Sequence, residues 1–150
     1  MPEQIMTEQI LVPEIDEDSA PFWEGARKGE LRMQRCAGCG RLNFPPRPMC
    51  PACHSIVFQW PVLSGRGTIW SYAVPHPPLL PYYMKFAPYN VICVALDEDP
   101  TLRLIGNLVE RPGGPLNAID PAGIRIGEPV RVAFEKLTEE ISLPRWVRAV

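Results

Sequence analysis

Residues 36–53 read CAGCGRLNFPPRPMCPAC, and the spacing C-x2-C-x10-C-x2-C of Cys36, Cys39, Cys50 and Cys53 decides the fold. In each C-x-x-C the chain turns back, so that two thiolates face one metal while backbone N–H groups point at the sulfurs. Gly40 follows the first pair, where a left-handed turn is often needed. Two such knuckles complete a closed tetrahedral four-thiolate site. With no position left for water, the metal contributes folding energy rather than catalysis. The expected cofactor is a structural Zn2+. Composition and the expected reducing compartment disfavour disulfides, and the paired-knuckle spacing disfavours a redox pair, while a single-iron site shares the geometry and stays open on spacing alone. His54, next to Cys53, reads as a surface residue because four thiols suffice.

The charge around this stretch is uneven. Residues 1–30 carry eight acids against Arg27 and Lys28, whereas residues 31–66 carry Arg32, Arg35, Arg41, Arg47 and Arg66 and no acid. A phosphate-bearing ligand is drawn first to such a segment. The competing reading is that the arginines offset the net negative charge of a four-thiolate zinc site.

Upstream, residues 1–17 read as a flexible tail. Ser19 is the expected helix N-cap with Pro21 in the first turn, Phe22, Trp23 and Ala26 form an apolar face, and Gly29 stops the helix. Leu31, Met33 and Arg35 alternate with Arg32 and Gln34 as a short strand. Downstream the pattern is β throughout. The expected strands are Ile56–Leu63, Gly67–Val74, Tyr89–Leu96, Leu102–Val109 after a DEDP turn, Val130–Phe134 and Leu143–Val150. Residues 111–123, with three prolines and three glycines, read as a loop or one short helical turn. Five or six short strands in some 95 residues suggest a small closed barrel. The 19 prolines argue against long helices. The expected organisation is a tail at 1–17, a helix plus zinc ribbon at 18–60 and a barrel at 61–150. No stretch approaches the roughly 20 apolar residues of a membrane span, and the acidic start is unlike a secretory signal, so the expected location is the cytoplasm.

The catalytic inventory is thin. There is no G-x-S-x-G elbow, H-E-x-x-H helix or phosphate loop, and the fifth cysteine, Cys93, lies in the apolar run YNVICVAL as an expected core residue. The informative loop is Pro75–Pro88, PHPPLLPYYMKFAP, with five prolines beside Leu79, Leu80, Tyr82, Tyr83, Met84 and Phe86. It is expected to dock on a partner, since aromatics and Met are enriched in interface cores. Alternatively it folds over the barrel as a lid and buries its own side chains.

Several linked blocks carry a resemblance: PFWEGARKGELRMQRCAGCG (21–40), FPPRPMCPAC (44–53), SGRGTIWSYAVPH (64–76), APYNVICVALDE (87–98), LRLIGNLV (102–109) and IGEPVRVAFE (126–135). Over about residues 20–136 the chain resembles the zinc-ribbon OB-fold proteins that accompany thiolases and lipid-transfer-protein-like aldolases. The resemblance implies a mainly β fold with an N-terminal helix, a rubredoxin-like zinc ribbon and a C-terminal OB-fold barrel. It also implies a non-catalytic accessory subunit that binds a thiolase-like or lipid-transfer-protein-like partner and works on or near acyl-CoA, the partner holding the catalytic residues. With that ligand, Arg35, Arg41 and Arg47 are the candidate contacts to the phosphates of coenzyme A, and the Pro75–Pro88 loop is an alternative path for the acyl chain. The alternative is a zinc-ribbon OB protein for single-stranded nucleic acid, stacking bases on Trp70 and Tyr72. A pI of about 5.7 and a barrel half that is not basic argue against it.

Overall fold

The computed structural model describes residues 9–149. The first eight residues of the expected tail, and Val150 of the expected last strand, lie outside the described residues. Helix α1 (Ala20–Arg27) has Ser19 at its N-cap and Pro21 in its first turn, as expected, but the capping bond is a different one. Ser19 already has helical backbone angles and makes no side-chain cap bond to the helix. Asp16 takes that place: Ser19 N–H donates to Asp16 Oδ1 at 2.7 Å, and Asp16 N–H donates to Ser19 Oγ at 3.3 Å. This is the reciprocal arrangement of a capping box, one turn earlier. The Ser19 hydroxyl, followed by its backbone N–H, holds the Asp16 carboxyl below its ordinary range. The other end stops at Gly29, whose φ of +76° suits glycine. Glu30 N–H reaches Gly25 O and Gly29 N–H reaches Ala26 O, the bond pair of a Schellman motif.

The chain then forms β1 (Leu31–Arg32) and β2 (Gln34–Cys36), β3 (Leu42–Asn43) and β4 (Phe58–Gln59), with β3-β2-β4 as a small antiparallel sheet. The expected strand over 56–63 is divided. Pro61 has no N–H to pair, its carbonyl accepts from Met33 N–H at 3.2 Å, and β5 (Val62–Leu63) pairs with β1 instead. The expected alternation along 31–35 also breaks. Met33 and Gln34 are both buried, because Gln34 exchanges hydrogen bonds with the backbone of Arg47: Nε2 to the Arg47 carbonyl at 2.8 Å, and Arg47 N–H to Oε1 at 3.1 Å.

The remaining elements are β6 (Arg66–Ala73), a short helix α2 (Pro81–Met84), β7 (Val91–Leu96), β8 (Arg103–Gly106), a 3-10 turn at Pro121–Gly123, β9 (Pro129–Lys136) and β10 (Ser142–Arg148). The five long strands form one antiparallel sheet in the order β10-β9-β6-β7-β8, with a bulge at Trp70 in β6. The sheet curls until its end strands meet. Past β8, Leu108 bridges Trp146 in parallel, Val109 N–H donates to Trp146 O at 2.8 Å, and Trp146 N–H donates to Asn107 O at 3.0 Å. The expected barrel therefore closes through one short bridge rather than through a full ladder.

The expected strand at 102–109 ends early for a visible reason. Leu108 N–H donates to Asn90 Oδ1 at 2.6 Å and Leu108 O accepts from Asn90 Nδ2 at 2.9 Å, so a side chain stands in for the neighbouring strand. Inside lie Ile69, Ile92, Val94, Leu96, Leu104, Leu108, Val130 and Trp146. Phe22, Leu31 and Met33 from the N-terminal part belong to the same cluster, with Phe44 packed against it. Among the described residues, no helix is long and apolar enough to cross a membrane.

Candidate metal centre and its surroundings

The two knuckles are built alike. Gly40 N–H donates to Cys36 O at 2.8 Å, and His54 N–H donates to Cys50 O at 2.9 Å. Gly40 and His54 both take left-handed backbone angles, φ +77° and +66°. The turns bring four sulfurs within 4.8 Å of one another. Cys36 Sγ lies 3.4 Å from Cys53 Sγ, and Cys39 Sγ lies 3.7 Å from Cys50 Sγ. Metal–sulfur bonds of about 2.3 Å in a tetrahedron put neighbouring sulfurs about 3.8 Å apart, so the cluster fits one small metal ion. Cys36 and Cys50 are buried while Cys39 and Cys53 face outward.

The electrostatics fit a cation as well. The Cys39 backbone N–H is the main influence drawing Cys36 below the ordinary thiol range. That of Cys53 draws Cys50 down to about 6. The Ser55 backbone N–H acts the same way on Cys53, but the Cys36 thiol, loss of solvent, and the Cys39 and Cys50 thiols together outweigh it and push Cys53 up to about 11. Negative charge formed on the first thiolates thus opposes the last ionisation, and a divalent cation at the centre reverses that opposition. Four protein ligands leave no open position, so the arrangement suits cross-linking rather than water activation.

The arginine candidates part company. Arg41 and Arg47 line a polar cleft of about 270 Å3, together with Leu42, Asn43, Phe44, Pro51, Thr101 and Leu102. Arg35 is not among the lining residues; it is half-buried on β2, paired with Leu42 and Gln59. The cleft lies between the cysteine ribbon and the turn joining β7 to β8. Asn43 was not singled out from sequence, although it sits between two arginines in the acid-free stretch. It is only 4% exposed, and its Nδ2 has no hydrogen-bond partner.

The proline-rich segment divides by face. Leu79, Tyr83 and Phe86 pack on a second cluster built from Tyr89, Val109, Leu116 and Val147, with the Tyr83 ring 6.0 Å from that of Tyr89 and tilted 35° to it. Tyr82 lies between, its ring 5.1 Å from Tyr83 and 5.4 Å from Phe86. Leu80 and Met84 point outward, 41% and 45% exposed. Trp70 and Tyr72 are also exposed, but the Arg103 guanidinium covers Trp70 at 3.6 Å and takes up one of its stacking faces. Cys93 corrects its expected place in the core. It is half-buried on the outer face of β7, opposite Ile92 and Val94, and lines a shallow apolar depression with Tyr72 and Ile105.

Comparison with known proteins agrees with this architecture. The family model described as "ChsH2, rubredoxin-like zinc ribbon domain" matches residues 23–56, and that described as "ChsH2, C-terminal OB-fold domain" matches residues 60–135. A "Probable enoyl-CoA hydratase alpha subunit" of Thermomonospora curvata is 38% identical over 140 residues, 92% of this chain and 40% of that protein. The chain thus spans well under half the length of that relative. A "DUF35 domain-containing scaffold protein" of Methanocaldococcus jannaschii is 32% identical, over 71% of this chain and 68% of that one. The "Benzoylsuccinyl-CoA thiolase subunit BbsA" of Thauera aromatica is 31% identical over 55% of this chain and 54% of its own. Among solved structures, a chain of an "Ltp2-ChsH2(DUF35) aldolase" superposes with a TM-score of 0.78 at 37% identity, covering 93% of this chain and 100% of that one. The ribbon, the curled barrel and these matches together place the chain in the ChsH2-type family of rubredoxin-like zinc-ribbon and OB-fold proteins, with DUF35 scaffold proteins among its relatives.

Proposed function

We propose that this chain is a non-catalytic accessory subunit. It docks on a thiolase-like or lipid-transfer-protein-like aldolase partner and helps to position an acyl-CoA, while the four cysteines hold a structural Zn2+. The observation that carries this reading is the match to a whole chain of an aldolase assembly, with ribbon and barrel in one piece. Relatives described as a scaffold protein and as a thiolase subunit support the same role. Zn2+ bound at Cys36, Cys39, Cys50 and Cys53 supplies charge compensation and a cross-link, and no chemistry on substrate. The residues themselves do the positioning: the knuckles fix the ribbon, the shared core fixes the ribbon on the barrel, and Leu80 and Met84 offer an apolar contact held in place by the packed half of their loop.

The test is co-purification from a lysate of the native host, with the captured protein identified by mass spectrometry. A thiolase-like or aldolase-like partner is expected. Replacing Leu80 and Met84 with Ser should cut its recovery at least tenfold with metal content unchanged. Tyr83 is unsuited to this test because its ring packs on the chain's own barrel. Undiminished recovery rules out docking through this face, and a partner of another class rules out the assignment.

A further inference from the structure

Below the bridge at Leu108 the barrel stays open, and one residue explains why. In the parallel register of that bridge, Trp146 N–H donates to Asn107 O and Val109 N–H donates to Trp146 O. Two residues earlier on β10 the same ladder needs a donor to Ile105 O, and Pro144 stands there without an N–H. β8 is therefore left as an end strand of the sheet. Its register with β7 identifies the groups left over. Leu96 N–H donates to Leu102 O, so Leu104 and Gly106 turn their backbone groups towards β7, facing Val94 and Ile92. The N–H and C=O groups of Arg103 and Ile105 point the other way, into the gap before β10.

That gap is a groove of about 280 Å3, walled by Tyr83, Tyr89, Val91, Ile105, Leu143 and Pro144. Ile105 is 72% exposed on its rim. Tyr89 is only 8% exposed, and its hydroxyl has no hydrogen-bond partner among the described residues while keeping surface open to the groove. Arg103 shares the outward face of β8 with Ile105. It lies over Trp70 and forms no ion pair among the described residues, whereas Arg145 beside the groove is already paired with Glu135.

We infer that this groove receives an extended polypeptide segment of the partner protein, which adds a strand to the free edge of β8 at Arg103 and Ile105. Main-chain bonds hold such a segment, and the wall selects its alternate side chains. Apolar side chains fit against Val91 and Ile105, a polar group meets the Tyr89 hydroxyl, and a carboxylate answers Arg103. A second copy is the poorer occupant, because pairing β8 with β8 brings two Arg103 side chains onto one face. The inference rests on the accessory role proposed above and adds main-chain recognition to the contact at Leu80 and Met84.

Hydrogen exchange resolved to single amides tests this in the metal-loaded chain, alone and in the complex captured above. Alone, the Arg103 and Ile105 amides should exchange freely while those of Leu104 and Gly106 are protected. In the complex, Arg103 and Ile105 should slow at least tenfold. A phage-displayed library of random peptides, selected on the metal-loaded chain, gives a probe that needs no partner. It should enrich apolar residues at alternate positions next to an acid. Ile105→Pro removes a donor to the incoming strand without touching the β7 ladder, and should weaken the peptides and partner recovery about tenfold. Tyr89→Phe keeps the ring and should weaken the peptides a few-fold. Metal content and melting temperature report whether each variant folds; if Ile105→Pro does not, the exchange data and Tyr89→Phe decide. Fast exchange of Arg103 and Ile105 in the complex, or enriched peptides indifferent to both variants, overturns the inference. So does protection in the isolated chain that grows with its concentration, which assigns the edge to a second copy. Failed capture with peptides that depend on Ile105 retires the partner class proposed above and keeps the strand site, whereas retained capture without protection keeps that class and removes the site.

Discussion

The residue after the second cysteine of each knuckle sets the turn, and the two knuckles use different residues for it. Gly40 and His54 occupy equivalent positions, with φ of +77° and +66° and the same backbone bond back to the first cysteine carbonyl. A side chain in that conformation costs about 1–2 kcal/mol through its own Cβ. Nothing lies within 4 Å of the position a Cβ would take at Gly40, so a substitution there reports on backbone strain alone. Gly40→Val should therefore lower stability by about 1–2 kcal/mol, and His54→Gly should raise it by up to about 1 kcal/mol. Chemical denaturation of the metal-loaded chain measures both. If both substitutions prove neutral, left-handed strain is not what distinguishes the two knuckles. The exposed His54 then needs no role as a ligand, and its conformation is the cost of having a non-glycine residue there.

Among the elements, barrel closure depends on side chains more than on ladders. Asn90 is fully buried and supplies both bonds to Leu108 that a neighbouring strand would otherwise provide. Asn107 Nδ2 donates to Asn90 O at 2.6 Å, and Arg145 Nη1 donates to Asn107 Oδ1 at 2.7 Å. Arg145, only 5% exposed, also donates from Nε and Nη2 to Glu135 on the adjacent strand, at 2.9 and 2.8 Å. The chain of bonds thus ties β7, the end of β8, β10 and β9 together. Asn90→Ala leaves a buried N–H and a buried carbonyl of Leu108 without partners, a loss on the order of 3 kcal/mol. Thermal or denaturant unfolding measures it, and a loss under 1 kcal/mol shows that the network is dispensable to closure. These features also mark where the sequence was readable. The cysteine spacing and the Gly29 stop follow from local chemistry. Asn90 does not, because a side chain acting as a strand is defined only by a partner 18 residues away. Cys93 was misplaced because YNVICVAL is apolar on both faces, which erases the period that would separate inside from outside. Asp16 and Ser19 are both good caps three residues apart, and their mutual bonds, invisible in sequence, decide between them.

At the scale of the whole molecule, ribbon and barrel are not independent bodies. Phe22 of α1 packs 6.2 Å from Phe44 of the ribbon while belonging to the cluster that holds Trp146, and β1 pairs with β5 at the barrel entrance. Ser64, in the turn between β5 and β6, donates from its N–H and Oγ to the Glu98 carboxylate at 2.6 and 3.0 Å, fastening that turn to the β7–β8 turn. Metal removal should therefore be felt beyond the ribbon. Without the cation, the four sulfurs lose their charge compensation and the two knuckles lose their only covalent-strength link. The ribbon's contribution to the shared core, Leu31, Met33 and Phe44, then loosens as well. The expected outcome is one cooperative unfolding transition at a lower temperature, rather than an unchanged barrel transition with a separate early ribbon transition. Trp146, fully buried in the barrel, is the reporter once Trp23, Trp60 and Trp70 are replaced by Phe, and its emission should then shift in step with metal release into a colorimetric chelator. Cys39→Ser removes an exposed ligand without opening a core cavity and should reproduce the chelator's effect. An unaltered Trp146 transition in either case means that the barrel folds without help from the metal, and that the metal shapes the ribbon alone.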